Sequence, residues 1–190
     1  MRLIFKIILG FIILIFGTIG FIFWVINRGG SPSPVSAINP QSSGPKALVI
    51  SNPGISDFES KMADAFARSL ASNGWHVEVT TVSSQTPTDL TGYSLLVLSA
   101  PIYGGMPSPA LQAYMGRLNS LNGIKVVSLM TSGGKNPKAM AWMTSSVQSK
   151  GGNEVLSLAI YSMSPNDEQF GTTEAQGVAA GAAASLSPLR

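Results

Sequence analysis

Twenty residues from Ile7 to Ile26 carry no charge and are almost all aliphatic or aromatic. About 20 such residues, wound as a helix, match the ~30 Å hydrocarbon core of a bilayer. The run therefore reads as a membrane-spanning helix, with Trp24 near its end, where an indole favours the headgroup interface. A cleaved signal peptide is the competing reading. Val35-Ser-Ala37 has the small-residue look of a cleavage site, but it lies well past the apolar run. A signal core is about 7–15 residues, so length favours an uncleaved anchor. Arg2, Lys6 and the terminal amine precede the span, and Arg28 alone closely follows it. The positive-inside bias then expects a cytoplasmic N-terminus and an extracytoplasmic domain.

The rest of the 190-residue chain is different in kind. Hydrophobic content is 45% and charged content only 11%, yet this imbalance is concentrated in the anchor. Formal charge is +3, and Arg2, Lys6 and Arg28 account for all of it; from Lys46 onward nine cations face nine carboxylates. A neutral body without a basic stripe gives no reason to expect a nucleic-acid partner. With no cysteine, disulfides, thiolate metal sites, iron–sulfur clusters and cysteine nucleophiles are excluded. The single histidine, His76, excludes His-rich metal sites, and it lies at the start of a strand, where a structural role is expected.

Residues 29–45 are rich in Gly, Ser, Pro, Asn and Gln and read as a flexible, partly extended linker. A domain over 46–190 follows. Ala47–Ile50, His76–Val82, Leu95–Leu98, Lys125–Met130 and Val155–Met163 read as strands. Between them, Asp57–Asn73, Pro109–Leu121 and Pro137–Lys150 have helical spacing, and Thr172–Leu186 makes a last helix despite Gly177 and Gly181. Met130, Met140 and Met143 fall at packing positions. Such alternation predicts an α/β fold, a three-layer α/β/α sandwich on a five-stranded parallel sheet, preceded by the transmembrane helix. Ligands of such sheets bind beyond the carboxyl ends of the strands, where strand order reverses.

Three loops fall at that edge. Ser51-Asn-Pro-Gly54-Ile55-Ser56 joins the first strand to a helix, as an anion cradle of backbone amides does. A plain turn with Ser56 as helix N-cap explains the same residues. Pro53 has no N–H to donate, and Asp57 puts a carboxylate in the first helical turn. After the third strand comes Pro101-Ile102-Tyr103-Gly104-Gly105, with an aromatic ring suited to stacking on a flat heterocycle or to packing the loop. After the fourth comes Thr131-Ser132-Gly133-Gly134, shaped for backbone contacts to a ligand or for a tight turn. Asp167-Glu168 precedes the last helix and suits its dipole.

The run Tyr93-Ser-Leu-Leu-Val-Leu-Ser-Ala-Pro-Ile-Tyr-Gly-Gly105, with Ser108-Pro-Ala-Leu111 beyond it, resembles the third strand and flavin loop of flavodoxin-like proteins. Ser51, Gly54 and Ser56 are similar to that family's phosphate signature, with serine at 56 where threonine is usual. The resemblance covers residues 46–190 and implies strand order 2-1-3-4-5 and an FMN site. Ser51, Gly54, Ile55 and Ser56 would hold the phosphate. Pro101, Ile102, Tyr103, Gly104 and Gly105 would line one flavin face, and Thr131, Ser132, Gly133 and Gly134 the other side. Gly104-Gly105 would be free to turn a peptide toward the reactive ring nitrogen. Soluble flavodoxins are typically acidic, whereas this domain is neutral, so confinement by the tether replaces charge steering. The expected partners are the lipid bilayer, through residues 7–26, and a membrane redox protein or quinone. Electron transfer or quinone reduction is the function expected. A flavin-free module for binding or scaffolding is the alternative.

Overall fold

The computed structural model describes residues 2–27, 31–164 and 166–186. Arg28, which entered the charge count around the span, and Gly29 and Gly30 of the linker lie outside the described residues.

Helix α1 runs Arg2–Asn27. Its stretch Ile4–Trp24 is 21 residues with no side chain buried in the protein, about 31 Å at 1.5 Å per residue. Among the described residues, it is the one helix long and apolar enough to cross a membrane. Thr18, its one hydroxyl, returns its proton to the Leu14 carbonyl at 2.8 Å.

The body is a mixed α/β fold. Strands β2 (Lys46–Ser51), β3 (His76–Thr81), β4 (Tyr93–Tyr103), β6 (Lys125–Ser132) and β7 (Asn153–Tyr161) are joined in parallel, in the spatial order β3-β2-β4-β6-β7. The sheet has seven strands where the sequence predicted five. The additional two are short and antiparallel. Strand β1 (Ser36–Ala37) lies along β3, and β5 (Met106–Pro107) folds back on β4.

Two apolar layers cover the sheet. On one face α2 (Phe58–Ser72) and α5 (Ala175–Ala184) pack Met62, Phe66, Leu70, Val178 and Ala182 onto Val49, Val97 and Leu129. On the other, α3 (Pro109–Arg117) and α4 (Pro137–Ser149) pack Leu111, Tyr114, Met143 and Val147 onto Leu48, Ile50, Leu96 and Leu98. Alternate residues of β2 and β4 enter opposite cores, which is why both strands read as unbroken apolar runs. Met130 and Met143 are fully buried, as packing positions require.

Several elements depart from expectation for identifiable reasons. Helix α3 stops at Arg117, four residues early, because Leu118 turns extended and both Leu118 and Leu121 drop into the core. Strand β4 continues through Tyr103, so Pro101 and Ile102 belong to a strand and not to a loop. Pro101 is tolerated because Asn52 N–H meets the Ser99 carbonyl, the last bond from that side. Two residues on, the donor-less nitrogen faces an edge that β2 has left. The cap of α5 is Glu174, whose carboxylate accepts from Gln176 N and Gly177 N. Asp167, expected near that dipole, instead meets Lys135 at 3.5 Å.

The segment read as a flexible linker is fastened to the domain over residues 31–45. Asn39 closes the join: its amide donates to the Trp75 carbonyl at 2.6 Å, and its oxygen accepts from Val77 N at 2.9 Å. Ile38 packs against the α2/α5 core. His76 accompanies this segment, with Nδ1 3.1 Å from the Ser42 carbonyl and Nε2 3.3 Å from Glu78.

Candidate functional site

Strand β2 is flanked by β3 on one side and β4 on the other, so chain order reverses between β2 and β4. The loops leaving their carboxyl ends diverge there and open a crevice. A cavity of about 270 Å3 occupies it, just below the ~300–1,000 Å3 common for ligand pockets.

Gly54, Ile55 and Ser56 form one wall, Pro101, Ile102 and Tyr103 a second, and Thr131, Ser132 and Gly133 a third. The other four candidates sit apart from the cavity walls. Ser51 is held within the sheet, its carbonyl taking Val82 N–H at 2.8 Å. Gly134 receives the Ser132 hydroxyl on its carbonyl at 2.5 Å. Gly104 and Gly105, with φ of +56° and +82°, make the two-residue turn between Tyr103 and Met106. Positive φ at both central residues suits a tight hairpin and explains the glycine pair without a ligand.

The anion end is assembled differently from expectation. The N-cap of α2 is Asp57, not Ser56, and its side chain makes no capping bond. That carboxylate turns outward to Lys61 at 2.7 Å, where the ammonium lowers its pKa. Asp57 therefore leaves the cradle empty of its charge. Tyr103 does not. Ile55 N–H donates to the Tyr103 hydroxyl at 2.9 Å, and a Cβ on Gly54 would stand 3.1 Å from the same oxygen. One amide of the cradle already has an oxygen acceptor, and Pro53 offers none. Partial burial raises the Tyr103 phenol above its ordinary pKa, so it stays protonated.

Glu59 is the residue that loop-by-loop reading overlooks. It lies in the first turn of α2, is 1% exposed, and borders the cavity. Ser99 Oγ donates to its Oε1 at 2.6 Å, while Oε2 has no partner. Burial pushes its pKa up to about 8, against the opposing pull of the Ser99 hydrogen bond. At neutral pH the group is therefore a carboxylic acid, a donor toward an anion and not a repelling charge. A signal existed: positions 59, 62, 63, 66, 67 and 70 form the buried stripe of α2, and a carboxylate on such a stripe is anomalous.

The residues thus fit a phosphorylated flat ring in two unequal parts. The ring end is walled by Pro101–Tyr103 and Thr131–Gly133. The phosphate end has the α2 N-terminus, backbone amides and the protonated Glu59, with the Tyr103 hydroxyl on Ile55 N–H. A larger cavity, about 640 Å3, lies at the opposite edge between residues 88–94 and 119–125. It is formed by turns at the amino ends of strands and lies away from the crossover, so the smaller crevice is the better site.

No protein-family model matches the sequence, and no curated protein matches it either. Solved structures do. A two-electron reduced flavodoxin from Megasphaera elsdenii superposes with a TM-score of 0.60 at 17% identity, covering 74% of this chain and 99% of that one. A Streptococcus pneumonia flavodoxin gives 0.58 at 16% identity, covering 74% and 94%. An azoreductase from Bacillus anthracis gives 0.55 at 15% identity, covering 74% and 99%. At these identities the likeness defines the fold. It is flavodoxin-like.

Proposed function

We propose that the chain is a membrane-tethered FMN protein serving electron transfer or quinone reduction. The observation that carries this reading is the crevice at the β2/β4 crossover, walled by the very strand ends that a flavodoxin-like fold uses. Ile55, Ser56 and Gly54 would take the phosphate, with Glu59 adding a donated proton. Tyr103, Pro101 and Ile102 would bound one face of the ring, and Thr131, Ser132 and Gly133 the other. FMN, when bound, supplies one- and two-electron transfer.

The chain's own contribution is positional. The α2 N-terminus orients an anion without Lys or Arg. Tyr103, on a crevice wall, would pack its ring against the bound group. The apolar helix α1 would confine the domain at a bilayer, giving it a high effective concentration toward a quinone or an anchored redox protein.

One observation favours a second reading, a flavin-free binding module. The Tyr103 hydroxyl already satisfies Ile55 N–H, so that amide has an acceptor without a ligand. Titration of FMN with the purified full-length chain in detergent separates the two. Quenching of flavin fluorescence at one FMN per chain supports the redox reading. A colourless chain that leaves FMN fluorescence unchanged supports the binding module.

A further inference from the structure

Thr81 is the last residue of β3 and the register partner of Ser51, at the crevice end of β2. The chain arriving from α1 is fastened at this same point. The Thr81 hydroxyl donates to the Ser31 carbonyl at 2.6 Å, and Thr81 N–H donates to the Ser33 hydroxyl at 2.9 Å. Thr80 adds a third bond, from its hydroxyl to the Ser33 carbonyl at 2.9 Å. From there β1 runs antiparallel to β3, away from the crevice edge. The anchor thus joins the domain at the carboxyl edge of the sheet, not at the remote edge where β2 begins.

Chain length makes this placement tight. Four peptide links separate Asn27, the end of α1, from Ser31, and they reach at most about 14 Å. Two strand spacings, about 10 Å, then separate Ser31 from Ser51. Ser51, where β2 reaches the crevice edge, therefore lies within roughly 25 Å of Asn27.

The same edge carries unpartnered apolar side chains. Outside α1, the two most exposed large hydrophobic residues are Ile55, at 61%, and Met163, at 87%, among the described residues. Ile55 is on a crevice wall, and Met163 Sδ lies 3.4 Å from where a Cβ on Gly133 would stand. Two ion pairs lie nearby, Asp57 with Lys61 and Lys135 with Asp167, so no large single-sign field is concentrated there.

We infer that the crevice edge docks on the surface of the membrane that α1 enters, with Ile55 and Met163 as its apolar contacts. This rests on the membrane-tethered reading of α1 above, but not on FMN. A near-neutral edge with protruding apolar groups suits a zwitterionic lipid surface more than an acidic protein partner. The crevice then faces the layer where an apolar electron carrier dissolves.

The absence of cysteine permits a direct test. Ile55→Cys, Met163→Cys and, at the opposite edge, Asn119→Cys are labelled with a fluorophore in the full-length chain. Each is reconstituted in phosphatidylcholine vesicles containing headgroup-level nitroxide lipid. Quenching several-fold stronger at 55 and 163 than at 119 is expected. Equal, weak quenching at all three in chains that float with the vesicles overturns the docking while leaving the tether intact. Chains that fail to float overturn the tether and the docking together. FMN titration of the same samples in detergent reports on the cofactor separately.

Discussion

Replacing Glu59 by glutamine should make the domain more stable at high pH, and only there. The folded protein holds the Glu59 proton up to a pKa of about 8, against an ordinary 4.5. Between those values the unfolded chain releases a proton that the folded chain keeps, so stability falls as pH rises through the window. Below it both states are protonated, and above it both are ionised. The interval, at about 1.4 kcal/mol per pH unit, amounts to about 5 kcal/mol. Little discount for solvent applies, since the residue is 1% exposed. Against a typical total of ~5–15 kcal/mol, the effect is large. Glutamine keeps the shape and can still accept from Ser99 Oγ, without the charge. Urea unfolding of the full-length chain in detergent, followed by circular dichroism at pH 4.5, 6.5 and 8.5, measures it. The wild type should lose several kcal/mol across the series while Glu59→Gln stays nearly level. Parallel curves for the two proteins would refute a buried, neutral carboxyl at this position.

Tyr103→Phe frees Ile55 N–H; if that hydroxyl competes with phosphate, FMN affinity should rise about 2- to 10-fold by calorimetry, the worth of one ordinary hydrogen bond. Gly105→Val forces a β-branched side chain to φ +82° and should cost about 1–2 kcal/mol or more in urea unfolding, whatever the cofactor does. Asn39→Ala removes two bonds that hold residues 31–45 to β3; a loss of roughly 1–3 kcal/mol is expected, with faster amide exchange at Val77 than at Val97 in the sheet interior.

The parallel body was readable because β2, β4 and β6 carry apolar runs, β3 alternates, and helices such as α2 carry an apolar stripe. Capping chemistry marked the helix starts well where proline followed a polar residue. Ser108 accepts from Leu111 N and Asn136 from Ala139 N. The fastening of residues 31–45 was not readable. Strand β1 is two residues long, and its hold depends on Asn39 meeting backbone groups of Trp75 and Val77, a pairing with no period to betray it. The β4–β5 hairpin was hidden by Pro107, a residue that argues against a strand until the edge position is known. At the site, residue types and loop order pointed to the crevice edge. Which groups line it depends on side-chain direction, and so Tyr103 on Ile55 N–H emerged only in three dimensions. Glu59 differs: its position on the α2 stripe was visible, and attention to loops alone passed it by.

Whether the crossover crevice takes FMN is measured most directly by equilibrium titration of FMN into the full-length chain, beside the Gly54→Val variant. There a larger side chain meets the Tyr103 hydroxyl and crowds the cradle. Saturable quenching of flavin fluorescence at one equivalent in the wild type, weakened markedly in Gly54→Val, is the predicted result. Unquenched flavin with the wild type, or equal binding by both chains, would contradict the assignment of the flavin to this crevice.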